Sequence, residues 1–337
     1  MIQPFFIAEI AQAHNGNIEV AHKFIDQVAK TGVNAIKFQT HIADAESSIY
    51  EPFRIKFSSE DATRFDYWKR MEFSLNQWKE LKQHCDDVGL EFMSSPFSNA
   101  AVDLLEQVGV NRYKIGSGEI SNMLLLERIV QTKKPVILSS GMSSFEELDR
   151  AVNYLKSNNS QVSVLQCTTS YPTSPENYGL NVIEQLKERY QIPVGFSDHS
   201  AKTETCIAAA ALGAKIFEFH VIIDPDDGGP DATSSLNLHD IELLVVSVKN
   251  IAEALKHPID KNDISRFSEL KLIFEKSLAI NKDLEKGHKI TFNDLEAKKP
   301  SNKGIQASQF RNVIGKKLLR HMLQWEFLND SDIDETN

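Results

Sequence analysis

Lysines and hydroxyl residues recur at the ends of short apolar runs along this chain. Lys37 lies in AIKFQ, and Lys114 lies in RYKIGS, just before Gly116 and Gly118. Two ammonium groups, nearby hydroxyls and backbone N–H groups left accessible by glycine are what a phosphate or carboxylate ligand needs. One such lysine alone is typical of a solvated surface, but two at matching strand ends predict an anion site. Either lysine could instead form a Schiff base, as in aldolases.

Two histidines end neighbouring apolar runs, His199 in GFSDHS and His220 in IFEFHV. Adjacent imidazoles that face one cavity can bind a divalent ion and leave it an open position for water or substrate. Only two clear nitrogen ligands indicate a weakly held, exchangeable ion such as manganese, and not a closed zinc site. The alternative is that each histidine is an ordinary core or surface residue.

Two carboxylates are candidates for chemistry. Glu9 interrupts the apolar run FFIAEIA, and a buried carboxylate is costly unless it is paired or used. We therefore expect Glu9 either to pair with a lysine or to take part in proton transfer or substrate orientation. Asp231 lies in the Gly- and Pro-containing segment DPDDGGPDATSSL, where it either belongs to a solvated turn or holds sugar hydroxyls.

Composition and absent motifs narrow the class of protein. The 337 residues carry 37 Lys plus Arg against 47 Asp plus Glu, a formal net charge of −10, which argues against a nucleic-acid partner. Three scattered cysteines and no C-x-x-C predict a reducing, cytoplasmic location. The first residues, MIQPFFIAEIAQAHNGN, read as a strand and predict neither signal peptide nor membrane span. P-loop, dinucleotide and G-x-S-x-G motifs are absent from the sequence.

Eight apolar runs alternate with helical patterns and must position these residues. Continuous apolar strands alternating with amphipathic helices predict a parallel sheet covered on both faces, and eight units in about 255 residues predict a closed (β/α)8 barrel. A doubly wound open sheet is the alternative. Catalytic residues of a barrel lie at the C-terminal strand ends. The polar residues there are Glu9, Lys37, Gln39, Ser95, Lys114, Ser117, Glu119, Ser139, Thr169, Tyr171, Ser197, His199 and His220.

The domain organisation follows from changes in pattern. Residues 1–258 are predicted to form the barrel, 259–274 a linker and 275–337 a small compact domain. Within the tail, Leu284, Ile290 and Leu295 share their spacing with Met322, Leu328 and Ile333, which indicates two similar half-motifs. The long polar segment 41–73, with its clustered aromatic residues, is predicted to be an insertion over the C-terminal mouth of the barrel.

The motifs themselves resemble a known family. FFIAEIAQAHNGN, AIKFQTH, SSPFS, YKIGSGE, ILSSGM, CTTSYP, GFSDHS and GGPD occur in this order, with KKPSNKGI in the tail. Over nearly the whole chain the series resembles the sialic acid synthase family, the phosphoenolpyruvate-dependent nonulosonic acid synthases. The tail resembles the antifreeze-like (SAF) domain of these enzymes, whose type III antifreeze relatives show the same internal pseudo-repeat.

The resemblance implies a transferase reaction and a role for each matched residue. Phosphoenolpyruvate C3 attacks the aldehyde of an open-chain N-acylated mannosamine, water attacks C2, and C–O cleavage releases phosphate. Glu9 is implied as acid or base, and Glu119 as the carboxylate that orients the water or the aldehyde. His199 and His220 are implied to bind a divalent metal, most simply Mn²⁺, with Mg²⁺ or Co²⁺ as alternatives. Phosphoenolpyruvate is implied to be held by Lys37, Ser95, Lys114, Ser117, Ser139, Thr169 and Ser197, and the aldose by Gln39, Tyr171, Asp231 and Lys299.

The resemblance also implies a homodimer in which each chain's tail domain caps its partner's barrel. Three positions depart from the family pattern. Lys299-Pro300 stands where the tail motif usually reads Arg-Pro, and lysine cannot repeat a planar bidentate contact to the sugar N-acyl group. Thr169 stands where some members carry Asn, and the insertion EPFRIKFSSEDATRFDYWKRMEF differs from the usual loop at the far end of the aldose.

We therefore expect a cytoplasmic synthase that makes a nine-carbon 2-keto-3-deoxy acid. N-acetylmannosamine is the default aldose, and a 2,4-diacetamido-trideoxyhexose leading to a legionaminate- or pseudaminate-type product is the close alternative. A Schiff-base pyruvate aldolase keeps the fold and changes the mechanism. A carbohydrate-binding barrel without turnover is the non-enzymatic alternative.

Overall fold

A computed structural model describes residues 3–53, 60–224 and 229–334 of the chain. The chain divides into two compact units, Met1–His257 and Pro258–Asn337. No helix among the described residues is both long and apolar enough to cross a membrane.

Eight parallel strands form the ring at the centre of the first unit. Their order is β3-β2-β1-β8-β7-β6-β5-β4, and β4 lies beside β3 to close the ring. This confirms the predicted (β/α)8 barrel over a doubly wound sheet. The strands are β1 (Phe5–Ala11), β2 (Ala35–Thr40), β3 (Glu91–Pro96), β4 (Tyr113–Ile115), β5 (Val136–Ser139), β6 (Val162–Cys167), β7 (Val194–Asp198) and β8 (Ile216–Ile222); a short β9 (Ser235–Asn237) pairs with β8.

Helices cover the outside of the ring, and their ends are defined by local sequence. Asn17 caps the first helix by accepting from the backbone N–H groups of Glu19 and Val20, and Gly32 adopts the left-handed conformation just after the helix and its last 3-10 turn. The helices of the first unit are α1 (Ile18–Val28), α2 (Ala43–Glu46), α3 (Arg64–Met71), α4 (Leu75–Asp87), α5 (Asn99–Val108), α6 (Met123–Val130), α7 (Phe145–Ser157), α8 (Asn181–Tyr190), α9 (Thr203–Ala211) and α10 (Leu238–Ala254); the second unit has α11 (Ser268–Phe274).

The two faces of each strand serve different purposes. Alternate residues such as Phe6, Ala8 and Ile10 pack outward against the helices. The residues between them point into the ring, where the first inward-pointing residues of the strands form a small apolar cluster. Two residues further along each strand, the inward position is polar or carries sulfur. These pairs are Ile7 and Glu9, Ala35 and Lys37, Met93 and Ser95, Ile137 and Ser139, Leu165 and Cys167, and Ile216 and Glu218.

The segment between β2 and α4 carries two helices, α2 and α3. A reciprocal capping box between Thr63 and Asp66 begins α3. Tyr67, Trp68 and Met71 lie on one face of this helix and pack with Ala43 in a separate buried cluster. Because they are spaced by three and four residues, they share a side of the helix. Part of this insertion, residues 54–59, lies outside the described residues.

The second unit contains α11 and an antiparallel pair, β10 (Ser277–Ile280) and β11 (Leu295–Lys298). Its two half-motifs correspond in space, because the backbone N–H of Leu284 donates to Met322 O and that of Met322 donates to Leu284 O, each at 2.9 Å. Asp294 and Asp332 are both buried and both close capping boxes. The internal repeat noticed in the sequence therefore has a structural counterpart.

Candidate active site

A cavity of about 470 Å³ opens at the C-terminal ends of the barrel strands. All the sequence-predicted site residues except Asp231 and Lys299 line it. Asp231 borders an adjoining pocket described below. The cavity walls also include residues from segment 41–73, as expected of an insertion over the mouth.

A network of buried charges occupies the cavity floor. Lys37 Nζ lies 2.5 Å from Glu9 Oε2 and 3.8 Å from Glu218 Oε2. Lys114 Nζ lies 3.1 Å from Glu218 Oε1 and donates to Ser139 Oγ at 2.6 Å. Two cations and two carboxylates thus balance one another where an anion was predicted to bind.

The pairing changes the protonation of these groups. Burial by itself lowers the pKa of Lys37, but the carboxylates of Glu218 and Glu9 outweigh it and raise that pKa above its ordinary value. Burial favours the neutral acid for Glu218, yet Lys114 and Lys37 hold its pKa well below the usual range. Lys37 is therefore an ammonium group, which binds anions and is a poor nucleophile.

Hydroxyl groups surround the two ammonium groups. Lys37 Nζ donates to Ser95 Oγ at 3.3 Å, and Ser197 Oγ donates to Glu218 Oε1 at 3.0 Å. Ser117 and Thr169 approach each other across the cavity at Gly141, where an added Cβ would lie 2.6 Å from Ser117 Oγ and 2.7 Å from Thr169 Cγ2. The Gly141 backbone therefore lies so close to these two side chains that a larger residue would collide with them.

The two glycines singled out in the sequence are less restricted than Gly141. A Cβ at Gly116 would meet Phe97 at 3.8 Å, and one at Gly118 would meet no other protein atom within 4 Å. Any need for glycine there comes from space left for a ligand, and not from protein packing.

The two predicted metal-binding histidines face each other. The ring centroids of His199 and His220 are 5.1 Å apart, and the ring of Tyr171 lies 4.1 Å and 6.0 Å from them. His199 Nδ1 donates to the carbonyl oxygen of Thr168 at 2.8 Å, which leaves Nε2 as the lone-pair nitrogen. Burial and the neighbouring His220 lower the pKa of His199 well below its ordinary value, so that the ring is neutral.

These features fit a divalent metal held by few protein atoms. A neutral imidazole whose other nitrogen is fixed by a carbonyl group is the form that binds metals. Within the residues that the structure describes, no group of three or more His, Cys, Asp or Glu side chains is arranged to hold a metal. The protein donors available here are therefore the two imidazoles, with remaining positions for water or substrate oxygen.

Hydrogen bonds connect Gln39, one of the residues predicted to contact the aldose, to the cavity floor. Gln39 Nε2 donates to Glu9 Oε1 at 3.0 Å, and Gln39 Oε1 lies 3.2 Å from His41 Nε2. The His41 ring is stacked between Trp68 and Phe97, with centroid distances of 3.8 and 4.4 Å. Gln39 is therefore oriented from both ends.

Glu119 also lines the cavity and is half-buried, and Asn122 Nδ2 donates to its Oε2 at 2.7 Å. Burial raises the pKa of Glu119 above its ordinary value, and the nearby Glu46 adds to the shift. Glu9 is ion-paired while Glu119 is not paired with a cation in the described structure, so the two carboxylates suit different roles.

Sequence analysis missed several residues of the cavity. Glu218 is the most important, and its signal was available: IFEFHV places Glu218 and His220 on the same strand face, as FFIAEIA places Ile7 and Glu9. The contributions of His41, Glu46, Arg64 and Trp68 had no such local signal, because the insertion reaches the cavity only through its tertiary packing. Lys299 lies in the second unit, with its Nζ 4.8 Å from the Phe274 ring centroid, and its assignment to the aldose stays a prediction.

Comparison with known proteins places the chain in a family. Residues 24–260 match the NeuB family. The chain is 31% identical to the N,N'-diacetyllegionaminic acid synthase of Campylobacter jejuni, over 98% of this chain and 100% of that protein. It is also 31% identical to the human N-acetylneuraminate-9-phosphate synthase, over 94% of this chain and 88% of that protein.

A solved structure agrees with these relatives in fold. The N-acetylneuraminic acid (sialic acid) synthetase of Leptospira borgpetersenii, crystallised with citrate, superposes with a TM-score of 0.71 at 30% identity, over 80% of this chain and 90% of that one. The motif-based resemblance noted in the sequence is thereby confirmed, and this protein belongs to the NeuB family.

Proposed function

We propose that this protein is a nonulosonic acid synthase, which condenses phosphoenolpyruvate with N-acetylmannosamine or a related aldose. Phosphoenolpyruvate, the aldose and water give a nine-carbon 2-keto-3-deoxy acid and phosphate. The observation that carries the proposal is the convergence of Lys37 and Lys114 on one buried floor, directly beside the paired imidazoles of His199 and His220.

The floor is suited to a ligand with two anionic groups. Lys37, Lys114 and the surrounding hydroxyls of Ser95, Ser139 and Ser197 would hold the phosphate and carboxylate of phosphoenolpyruvate. Glu218 Oε1 lies 3.1 Å from Lys114 Nζ and Glu218 Oε2 lies 3.8 Å from Lys37 Nζ, so this carboxylate holds both side chains in place. Ser117 and Thr169 would complete the phosphate contacts beside Gly141.

The aldose would lie above this floor. Gln39, held between Glu9 and His41, and Tyr171, beside both histidines, would orient its open-chain form. Glu9 reaches the reacting carbons as acid or base, and Glu119 orients the attacking water or the aldehyde. A divalent ion on His199 and His220, most simply Mn²⁺, would polarise the aldehyde oxygen or activate water.

The chain's own carboxylates account for the proton transfers. Attack of C3 on the aldehyde carbon forms the new C–C bond, and the aldehyde oxygen takes up a proton. Water then adds at C2 and loses one proton. The resulting C2 hydroxyl loses its proton as the C2–O bond breaks, which forms the 2-keto group and releases phosphate with the bridging oxygen. Glu9 and Glu119, in different environments, are placed to receive and return protons.

A 2,4-diacetamido-trideoxyhexose is the second candidate aldose, giving a legionaminate- or pseudaminate-type product. Relatives named for both product types match the chain, including a pseudaminic acid synthase of Helicobacter pylori at 28% identity over all of both chains. We also propose a cytoplasmic homodimer in which the tail of one chain serves the partner's site. Exposed apolar residues of the tail unit, such as Ile273 and Phe274, support an interface there.

Mass spectrometry of the reaction tests the proposal. Purified protein is incubated with phosphoenolpyruvate, Mn²⁺ and a panel of aldoses, with and without chelator, using phosphoenolpyruvate labelled with ¹⁸O at the bridging ester oxygen. We expect a nonulosonic acid, labelled phosphate and loss of turnover with chelator. A pyruvate-dependent product trapped on a lysine by borohydride would instead establish the Schiff-base aldolase, and tight sugar binding without product would establish a binding protein.

A further inference from the structure

A second cavity of about 170 Å³, the side pocket, adjoins the main one. The two share five lining residues, Gln39, Arg64, Trp68, Tyr171 and His220. Asp231 borders the side pocket, whereas none of the residues assigned to phosphoenolpyruvate is among its described lining residues. A group in this pocket would therefore belong to the aldose.

The walls of the side pocket are largely aromatic. Phe53, Tyr67 and Trp68 contribute rings, and the Tyr67 and Trp68 centroids are 4.9 Å apart. Both residues lie on α3, and their side chains are buried. Such walls favour a ligand group with an apolar part, such as a methyl, over a fully hydrated one.

The charges around the side pocket do not favour an anion. Arg64 lines it, but its Nε lies 2.9 Å from Glu51 Oε1, and Trp68 Nε1 donates to Glu51 Oε2 at 3.0 Å. Asp231 adds a carboxylate, whose Oδ2 lies 4.0 Å from His220 Nδ1. A phosphate would have to compete with Glu51 for Arg64 and lie near a second carboxylate.

One residue that lines the side pocket has a buried donor with no hydrogen-bond partner among the described residues. Gln12 lines the pocket with 7% of its surface exposed. Its Nε2 is buried and makes no hydrogen bond to any described part of the chain. An unsatisfied buried amide costs free energy in the empty protein, and a ligand acceptor in the pocket would remove that cost.

We infer that the side pocket receives the second acylamino substituent of a diacetamido aldose, an uncharged group that N-acetylmannosamine lacks. Its carbonyl oxygen accepts a hydrogen bond from Gln12 Nε2, and its alkyl group packs against Phe53, Tyr67 and Trp68. An acylamino group combines the acceptor and the apolar part that the pocket requires. A hydroxyl would leave the aromatic walls uncovered, and a phosphate would meet the carboxylates. The inference rests on the proposed synthase function and selects the diacetamido class of aldose.

Steady-state kinetics with three aldoses test the inference. The substrates are a 2,4-diacetamido-trideoxyhexose, N-acetylmannosamine and N-acetylmannosamine 6-phosphate, each with phosphoenolpyruvate and Mn²⁺. We expect the diacetamido sugar to have a kcat/KM about tenfold or more above the others, the size of one well-made contact. A preference for the phosphorylated or the unmodified sugar would overturn the inference.

Gln12→Leu isolates the contact, with Gln83→Leu on the exposed face of α4 as a matched control. The Gln12 variant should lose about tenfold in kcat/KM for the diacetamido sugar and less than about twofold for N-acetylmannosamine. Its melting temperature should stay equal or rise, because an unpaired buried donor is removed, whereas a structural glutamine would lower it. Gln12→Met serves the same purpose should the leucine variant not fold.

The failures of the two proposals are distinguishable. Equal losses on all three aldoses, or a marked loss of stability in both Gln12 variants, would overturn the role of Gln12 while leaving the synthase intact. Release of phosphate with none of the aldoses would overturn the proposed function and this inference with it.

Discussion

Lys114 and Glu218 come from β4 and β8, on opposite sides of the barrel, and their charged atoms lie 3.1 Å apart on the floor of the cavity. Glu218 also lies 3.8 Å from Lys37, so that one carboxylate holds two buried cations together. The proposed anion site is thus built around a residue that itself carries negative charge. A phosphate bound there would meet two lysine side chains that are already oriented.

Glu218→Gln should destabilise the protein because it leaves two buried ammonium groups with Glu9 as their only acidic partner in the network. We expect the free energy of unfolding to fall by about 3 kcal/mol, typical of a broken buried ion pair. Inorganic phosphate should raise the free energy of unfolding more in the variant than in the parent. Denaturant titrations with and without phosphate measure both effects. Glu146→Gln, at an exposed ion pair, should change stability by less than about 1 kcal/mol, and a stable Glu218 variant would contradict the prediction.

His220→Ala should abolish metal-dependent turnover, by about a hundredfold or more, because one of the two imidazole donors is lost. Circular dichroism should be unchanged, since alanine removes only the side chain, and the backbone pairing of β8 does not depend on the imidazole. In the parent, Mn²⁺ should raise the melting temperature, and this increase should disappear in the variant. His257→Ala, at an exposed histidine, is the control. Full activity and an unchanged Mn²⁺ response would remove the metal assignment.

Lys299→Ala should weaken use of the aldose far more than that of phosphoenolpyruvate if the tail caps the partner's barrel. We expect KM for the aldose to rise about tenfold, as for loss of one charged hydrogen bond, with KM for phosphoenolpyruvate nearly constant. Lys303→Ala, at an exposed position of the same segment, is the matched control. Equal changes in both KM values would argue against a role for Lys299 in aldose binding. Sedimentation as a monomer at the assay concentration would argue against the swapped dimer.

Acid should destabilise the tail unit through Asp294. Lys282 Nζ lies 2.6 Å from Asp294 Oδ1, His288 Nε2 lies 2.9 Å from Oδ2, and the Thr291 N–H donates to Oδ2 at 2.8 Å. Burial opposes ionisation, but these partners hold the pKa of Asp294 well below its ordinary value. A depressed carboxyl pKa contributes stability that is present above the unfolded pKa, about 3.9, and is lost as pH falls below it.

Hydrogen exchange of the full chain checks this prediction. Protection of residues 277–298 should decrease between pH 5 and pH 3 after correction for intrinsic rates. In Asp294→Asn the protection should be lower at pH 5 and should change less with pH, because the titrating group is gone. The same pH dependence in parent and variant would assign the acid sensitivity to other groups.

Much of the barrel could be read from local sequence. Apolar runs such as FFIAEIA and EFMSSP coincide with β1 and β3, because a parallel strand buried on both faces needs a continuous apolar run. Placing polar residues at the C-terminal strand ends then identified Lys37, Lys114, His199 and His220 as neighbours, since all parallel strands end at one rim of a barrel. These inferences need only the pattern of apolar residues and the order of the strands along the chain.

Other features depend on tertiary structure. The choice of Glu9 as partner for Lys37 follows from the β1–β2 register, in which these residues stand side by side, and Glu218 meets Lys114 only because the ring closes. The side pocket joins Gln12 to Tyr67 and Trp68 of α3, an insertion whose own pattern indicates a helix but not where it packs. Sequence determined the barrel fold and which polar residues would come together at its C-terminal rim. The ion-pair partners and the shape of the side pocket were decided by ring closure and by packing of the insertion, because both depend on long-range contacts.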